Sequence, residues 1–313
     1  MATFEVIMIG NTAVGKTSML AALSNELDDY NLSGNVSLEP TTHELKIIQE
    51  QWNEMTEQVE AQMPFTTLST GLEGALVDFV EHKFDFKVAG TKKAHVLFTD
   101  TRGGMTGELD EKLTARVNEA FGVFCVVDAS VLMECPASKN ERFNCPKFVK
   151  KILKDVYNDG DDKQPRFVAF ILTKCEKYMA SAKGRRELAQ QFHEKYDNIV
   201  DMLHKAPVAP NIYMLAIQTM GCVSFLKLDE RGLPEFRILP QKEFKTKDCA
   251  YPLVILLREL ISAINAAQKG GIFGRIGELW DWILKLLNIR KDLSAYLKEI
   301  DANIDAPELY EEL

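Results

Sequence analysis

The stretch MIGNTAVGKTS, residues 8–18, decides the fold prediction. It follows the apolar segment 4–10, typical of a buried strand, and runs into the segment 16–27, typical of a helix. Gly10 and Gly15 let the backbone curl so that its N–H groups face phosphate oxygens, and the helix N-terminus adds partial positive charge. The stretch therefore predicts a strand, a phosphate-binding loop and a helix.

This loop supplies candidate ligands for both phosphate and metal. We expect the Lys16 ammonium group to reach the terminal phosphates of a nucleotide, and the Thr17 hydroxyl to bind a magnesium ion. The residues predicted to contact the nucleotide here are Gly10, Asn11, Thr12, Ala13, Val14, Gly15, Lys16, Thr17 and Ser18. A chance match in a strand-to-helix turn is the alternative, and the strong flanking elements count against it.

A second motif, FTDTRGG at 98–104, ends another predicted strand. Asp100 can hold magnesium through a water molecule, and the Gly103 N–H can turn onto a γ-phosphate. Asp-x-x-Gly is a weak signal in isolation. In a chain that already carries a phosphate loop, it predicts the second half of a magnesium site.

A third motif, ILTKCEKY at 171–178, leaves a buried strand. Thr173, Lys174 and Glu176 resemble the Asn/Thr-Lys-x-Asp element of the GTPases, with Glu where Asp is usual. The resemblance implies that the Lys174 stem packs on a purine. It also implies that the Glu176 carboxylate accepts hydrogen bonds from guanine groups that adenine does not offer. An ordinary charged strand end is the alternative interpretation.

LAIQT, at 215–219, follows the last predicted strand and places Ala216 where the backbone of GTPases contacts the guanine oxygen. The motifs occur in the family's order, so residues 1 to about 268 resemble small and translation-factor-type GTPases. The layout is similar to bacterial double-GTPase domains, in which a helix precedes a Pro-x-Thr-like switch. The resemblance implies GTP or GDP and Mg²⁺ as cofactors.

The switch threonine of this family binds magnesium and senses the γ-phosphate, and the sequence leaves its identity open. Many more residues separate Lys16 from Asp100 in the sequence than in a compact small GTPase, and they include a predicted amphipathic helix at 44–63. We favour Thr67 because the switch should follow any insertion. The candidates are Thr41, Thr42, Thr66 and Thr67, and each could instead cap a helix or a turn.

Hydrolysis is predicted to be slow. Gly104 follows Asp-x-x-Gly, where many small GTPases carry a glutamine that orients the attacking water. Arg102 or Arg142 could supply positive charge to the transition state, although most exposed arginines only solvate a surface. The residues predicted to take part in catalysis are Lys16, Thr67, Arg102 and Gly103.

Alternation of strands and helices predicts an α/β protein with a mostly parallel sheet, helices on both faces and one antiparallel edge strand. Together with the motifs, this layout resembles the three-layer sandwich of P-loop NTPases. The predicted antiparallel neighbours are 84–90 and 94–100, which a short turn joins. The other predicted strands are 121–128, 166–174 and 212–217, and the later helices are 107–119, 146–157, 183–204 and 251–268.

We divide the chain into a GTPase domain at 1–268, with a hairpin at 222–239, and a C-terminal amphipathic helical tail at 269–313. Residues 272–287 place their apolar side chains on one face. We expect that face to pack on the body; a partner groove or a membrane interface are the alternatives, and its mixed charges disfavour the membrane. The acidic end, 301–313, is expected to be solvated.

Composition narrows the class of partner. A net charge of −9 and a pI near 5.3 argue against a nucleic-acid-binding face. Six scattered cysteines without a CxxC pair favour free thiols in the cytoplasm over disulfides or zinc. We expect a guanine nucleotide and a protein partner that binds the switch regions, the inserted helix or the C-terminal helix.

Three functions remain open from the sequence. The first is a magnesium-dependent GTP-binding switch that hydrolyses GTP slowly. The second is a P-loop ATPase, which Glu176 in place of Asp suggests. The third is a non-hydrolysing, nucleotide-bound scaffold that acts through its helical insertion and tail, which Gly104 suggests.

Overall fold

The computed structural model describes residues 2–11, 13–27, 36–66, 79–88, 90–101, 107–158, 164–230, 233–268 and 305–313. Several sequence predictions fall outside these residues. They concern Thr12, Thr67, Arg102, Gly103 and Gly104, and the tail helix at 272–287.

The described strands form two sheets. The main sheet has eight strands, and a small sheet has three. The strands are β1 (Ala2–Ile9), β2 (Val36–Pro40), β3 (Phe65–Thr66), β4 (Phe79–Val88), β5 (Thr91–Thr101), β6 (Gly122–Asp128), β7 (Phe167–Thr173), β8 (Asn211–Ala216), β9 (Val223–Leu228), β10 (Pro234–Ile238) and β11 (Tyr310–Glu312). Their order is β11-β8-β7-β6-β1-β5-β4-β2 in the main sheet and β3-β10-β9 in the small one.

Five neighbouring strands of the main sheet, β5, β1, β6, β7 and β8, are parallel. Their carboxyl ends therefore meet at one edge, where ligands of open α/β sheets bind. The register pairs Met8 with Asp100, and Asp128 with Thr173. Strand pairing thus brings candidate site residues of different sequence motifs, such as Asp100 and Thr173, to the same edge of the sheet.

The prediction of one antiparallel edge strand was incomplete. β4 is antiparallel to β5 as predicted, but β2 adds to β4, and β11 adds to β8 at the opposite edge. Both additions are short and contain charged residues, and an edge strand can form through backbone pairing with few apolar side chains. The apolar patterns that predicted the central strands are therefore missing here.

Helices cover both faces of the main sheet. They are α1 (Lys16–Leu27), α2 (Thr42–Ala61), α3 (Gly107–Glu119), α4 (Ala129–Glu134), α5 (Ala137–Phe143), α6 (Pro146–Tyr157), α7 (Glu176–Met179), α8 (Ala182–His204) and α9 (Tyr251–Gln268). One buried cluster joins the sheet to α1, α2 and α9, and a second joins it to α3, α6 and α8. Alternate residues of β1 serve the two clusters, Val6 the first and Ile7 the second. The result is a three-layer α/β sandwich.

The inserted helix and the hairpin occur where the sequence predicted them. α2 buries Ile48 and Met55 and is tied to β4 by a 2.5 Å contact between Glu44 Oε1 and His82 Nδ1, both buried. The antiparallel pair β9 and β10 forms the hairpin, and β10 also pairs with β3. The segment that follows the inserted helix is thereby joined to the hairpin.

The acidic end of the chain is not simply solvated, which corrects the expectation for 301–313. Leu309 is buried, and β11 pairs with β8. The Tyr310 ring stacks on Tyr213 with centroids 6.3 Å apart. Backbone pairing and these apolar contacts outweigh the acidic composition. Within the described ranges, none of the helices is long and apolar enough to cross a membrane.

Candidate functional site

The loop between β1 and α1 requires glycine for geometric reasons. A Cβ on Gly10 would lie 2.9 Å from the Val126 carbonyl oxygen, and Gly15 has φ +104°. Ala13 also adopts a left-handed conformation, with φ 68°, which costs a non-glycine residue about 1 kcal/mol or more. The loop is thus held in a tight curl ahead of the first turn of α1.

Lys16, the first residue of α1, folds back over this loop. Its ammonium group donates to the carbonyl oxygens of Gly10 at 2.6 Å and Asn11 at 3.0 Å. It also lies 3.4 Å from Asp100 Oδ1. Burial lowers the pKa of Lys16, and the Asp100 carboxylate opposes that shift. The predicted phosphate ligand and the predicted metal residue are therefore neighbours.

Asp100 is the penultimate residue of β5, the strand next to β1, and is the acidic member of this group. Its Oδ1 atom is buried and, in the described part of the chain, accepts no hydrogen bond. A buried carboxylate oxygen with only one ion-pair neighbour is suited to accept a hydrogen bond from a metal-bound water. Thr17 lies partly exposed in the first turn of α1. Thr17 and Asp100 are oxygen donors of the kind that Mg²⁺ prefers.

No group of three or more His, Cys, Asp or Glu able to hold a metal occurs within the described ranges. Mg²⁺ sites that involve phosphates commonly use one or two protein oxygens, with phosphate oxygens and water completing the shell. The residues present fit a magnesium ion that arrives with a nucleotide. They do not form an all-protein cage.

The Thr-Lys motif lies directly against the loop predicted to bind phosphate. The Thr173 hydroxyl donates to the Val14 carbonyl oxygen at 2.5 Å, and the Lys174 ammonium group donates to the Ala13 carbonyl oxygen at 2.5 Å. Both donors reach across about 160 positions of sequence separation. Lys174 has φ 54°, a left-handed conformation. Two predicted elements, one for phosphate and one for the base, are thus a single hydrogen-bonded unit.

Glu176 begins α7 and is almost completely buried. Its Oε1 atom accepts from the Met220 backbone N–H at 3.3 Å, and Oε2 has no hydrogen-bond partner among the described residues. Burial raises the pKa of Glu176, and hydrogen bonds from backbone N–H groups, including that of Met220, oppose the shift. Its carboxylate therefore lies against the loop that follows β8.

Ala216 is the last residue of β8, and its predicted backbone contact with a guanine oxygen stays a prediction. In the structure its backbone N–H donates to the carbonyl oxygen of Leu309, the residue before β11, at 3.1 Å. The Met220 N–H lies in the loop that follows β8 and contacts Glu176.

Sequence reasoning missed Asp128 and Asn144. Asp128 Oδ2 accepts from the Lys174 ammonium group at 2.6 Å. The Asn144 side chain bonds both the N–H of Asp128, at 2.8 Å, and its carbonyl oxygen, at 3.1 Å. The available signal was the stretch FCVVD, in which a carboxylate ends a buried strand as Asp100 does.

A corner between α5 and α6 also contacts the loop predicted to bind phosphate. The Asn11 side-chain amide donates to the Arg142 carbonyl oxygen at 2.8 Å and to Cys145 Sγ at 3.6 Å. The Arg142 guanidinium is exposed and lies 5.3 Å from the centroid of the Phe143 ring. Its backbone, rather than its charge, makes the recorded contact with the loop.

The candidate switch threonines fall in two places. Thr41 and Thr42 begin α2, where Thr41 occupies the N-cap position without a side-chain cap bond. Thr66 lies in β3 and pairs with Glu235 of β10. The preference for Thr67 stays a prediction. On β10, Phe236 places its ring centroid 5.0 Å from the Lys174 ammonium group.

Comparison with known proteins gives little further information. No family model matches the chain, and no curated protein matches it. Among solved structures, a bacterial selenocysteine-specific elongation factor, EF-Sec, is similar at 12% sequence identity with a TM-score of 0.36. The similarity covers 70% of this chain and 26% of that one, so this chain spans about a quarter of that protein's length. We draw no conclusion about function from a likeness of this size.

Proposed function

We propose that this protein is a magnesium-dependent guanine-nucleotide-binding switch that hydrolyses GTP slowly. One observation carries the proposal: the Thr173 and Lys174 side chains bond the carbonyls of the loop whose lysine, Lys16, contacts Asp100. The elements predicted to bind phosphate, metal and base therefore meet at the carboxyl edge of the sheet.

The proposal that the site binds phosphate follows from the environment of Lys16. In the structure its ammonium group donates to two backbone carbonyl oxygens and forms an ion pair with Asp100. A nucleotide polyphosphate carries more negative charge than these partners and would compete for the same donors. The curl of the loop and the N-terminus of α1 add N–H groups at the same place.

We assign the magnesium ligands to Thr17, to Asp100 through water, and to Thr67 when GTP is present. The ion, when bound, neutralises charge on the phosphates. The residues that support hydrolysis in this proposal are Lys16, Arg102 and the N–H of Gly103. Gly104 offers no side chain to orient water, which is the reason for proposing a slow rate.

The proposal for guanine rests on Lys174 and Glu176. Glu176 has one buried carboxylate oxygen without a hydrogen-bond partner among the described residues, so that oxygen could accept from a ligand. Guanine offers two donors, its N1–H and its exocyclic amine, on one edge. Adenine presents an acceptor at N1, which an ionised carboxylate would repel.

An ATPase is the second candidate, and a specific observation favours it. The other Glu176 oxygen is already bonded to the Met220 N–H, which suits a role in fixing the loop after β8. In that case Glu176 would not read the base. Glu176→Ala would then leave ATP binding unchanged, whereas it should weaken GTP binding if guanine is the ligand.

Two measurements test the proposal. The first identifies the nucleotide that copurifies with the protein. The second is calorimetry with GTP, GDP and ATP in the presence of Mg²⁺, comparing the wild type with Lys16→Ala and with the exposed control Lys46→Ala. We expect GTP and GDP to bind, ATP to bind much more weakly, and only Lys16→Ala to abolish binding. Equal affinity for ATP and GTP would refute the guanine assignment.

Hydrolysis needs its own test because a bound nucleotide does not prove turnover. A single-turnover assay should give GTP cleavage above the buffer blank in the wild type and none in Lys16→Ala. Cleavage equal to the blank would instead favour a permanently loaded scaffold. We also propose that the body divides from a helical appendage after residue 268, and that the chain returns to the main sheet at β11. Limited proteolysis tests this division.

A further inference from the structure

A chain of buried polar groups runs from the α5–α6 corner to Lys174. Asn140 Oδ1 accepts from the Asn144 side-chain amide at 2.8 Å, and Asn144 bonds both backbone groups of Asp128. Asp128 in turn accepts from Lys174, which reaches the Ala13 carbonyl oxygen in the phosphate loop. Each of the three side chains Asn140, Asn144 and Asp128 is at most 3% exposed.

The two carboxylate oxygens of Asp128 have different partners. Oδ1 accepts from the Ser130 hydroxyl at 2.5 Å and from the Val131 N–H at 3.1 Å, which caps α4. Neutral Asn or Ser caps a helix as well as Asp does, so this oxygen does not require a charge. Oδ2 faces the Lys174 ammonium group. The negative charge of Asp128 is therefore needed for Lys174 and not for the helix.

Lys174 is the residue whose orientation this charge controls. A lysine stem has several rotatable bonds, and its ammonium group could otherwise turn toward solvent. Between Asp128 Oδ2 and the Ala13 carbonyl oxygen it is held at two points, with its backbone in the left-handed region. Fixing the stem before the nucleotide arrives reduces the entropy lost on binding.

We infer that Asp128 is a positioning residue for nucleotide binding, and that Asn144 holds Asp128 in place. The pair fixes the Lys174 stem for a purine and, through Ala13, steadies the phosphate loop. This inference rests on the proposed function, because Lys174 matters to binding only if a nucleotide occupies the site. Nothing in the three sequence motifs assigned a role to either residue.

The test measures how fast a fluorescent GDP analogue dissociates from full-length protein in the presence of Mg²⁺. Asp128→Asn keeps the α4 cap and removes only the charge, so dissociation should be about tenfold faster or more. Lys174→Met keeps the stem and removes the ammonium group, and should be at least as fast. In the double variant, Asp128→Asn should add nothing, because its effect passes through Lys174.

Asp85→Asn is the matched control. Asp85 lies on β4 and pairs with Lys92, outside the nucleotide elements. The same change from carboxylate to amide should there leave dissociation within about twofold of the wild type. If Asp128→Asn does not fold, Asp128→Ser replaces it, since serine also caps helices and carries no charge.

Thermal unfolding without nucleotide supplies a readout that separates positioning from general damage. In the Lys174→Met background Asp128 is a buried, unpaired charge, so adding Asp128→Asn should raise the melting temperature while dissociation stays unchanged. The inference is overturned if Asp128→Asn dissociates like the wild type, or if the two variants multiply their effects. A wild type that binds no guanine nucleotide overturns the proposed function as well, which distinguishes the two failures.

Discussion

Replacing Asp248 by Asn should stabilise the protein at neutral pH. Asp248 precedes α9, and burial raises the pKa of its carboxyl group from 3.8 to about 6, with nearby Lys247 opposing the shift. Its Oδ2 atom is buried and accepts no hydrogen bond from the described residues. The fold therefore favours the protonated, neutral form, which an asparagine imitates.

The sign and size of the stability change follow from the linkage between protonation and folding. Because the pKa of Asp248 is higher in the folded state than in the unfolded state, its carboxyl group does not affect the free energy of unfolding below about pH 4. It costs stability as the pH rises from about 4 to about 6, and the cost is constant above that range. The shift corresponds to about 3 kcal/mol at most, and solvent screening of a partly exposed group reduces this to about 1–2 kcal/mol.

The backbone makes asparagine the suitable replacement. Asp248 has φ 65°, and asparagine tolerates the left-handed region as well as aspartate does. The substitution thus changes the charge and little else. The free energy of unfolding of Asp248→Asn should exceed that of the wild type by about 1–2 kcal/mol at pH 8. At pH 4 the two proteins should be nearly equal.

Urea unfolding at pH 4, 6 and 8 measures the difference. Asp201→Asn, on an exposed turn of α8, is the control, and its effect should stay within about 0.5 kcal/mol at every pH. A gain of the same size at pH 4 and pH 8 would refute the electrostatic reasoning. So would a loss of stability in Asp248→Asn at pH 8.

Three further predictions concern packing. Gly10→Ala places a Cβ 2.9 Å from the Val126 carbonyl oxygen and should cost about 1–3 kcal/mol, measured by urea unfolding. His82→Ala leaves the Glu44 carboxylate buried without its partner and should lower stability by about 3 kcal/mol; adding Glu44→Gln should restore part of that loss. Leu309→Ala should cost about 2–4 kcal/mol in the same assay, because Leu309, the residue before β11, is buried in the core cluster; a loss below about 0.5 kcal/mol would contradict its place in the core.

Much of the central fold could be predicted from local patterns. α1 spans 16–27 as predicted, and α2 differs from the predicted helix by two residues at each end. The parallel strands were predicted because buried strands read as continuous apolar runs. β2 and β11 were not, because each is short and pairs at an edge where backbone bonds suffice.

The candidate site likewise contains residues that the sequence predicted and residues that only the structure revealed. Lys16, Asp100 and Lys174 stand in motifs with fixed spacing, and the structure brings them to one edge of the sheet. Asp128 and Asn144 have no such spacing, and their roles depend on contacts that only the folded chain creates. Asn11 and Arg142 are 131 positions apart and yet share a hydrogen bond. No local pattern encodes a contact of that range.

β11, the last strand, also affects the tendency of this protein to aggregate at high concentration. An uncovered outer strand presents free backbone groups to which a neighbouring molecule can add its own strand, the first step of aggregation. β11 covers β8 with a strand that carries two glutamates, and β2 at the other edge carries Glu39 and ends in Pro40. Charge and proline both discourage strand addition, so the two outermost strands of the main sheet protect it against self-association.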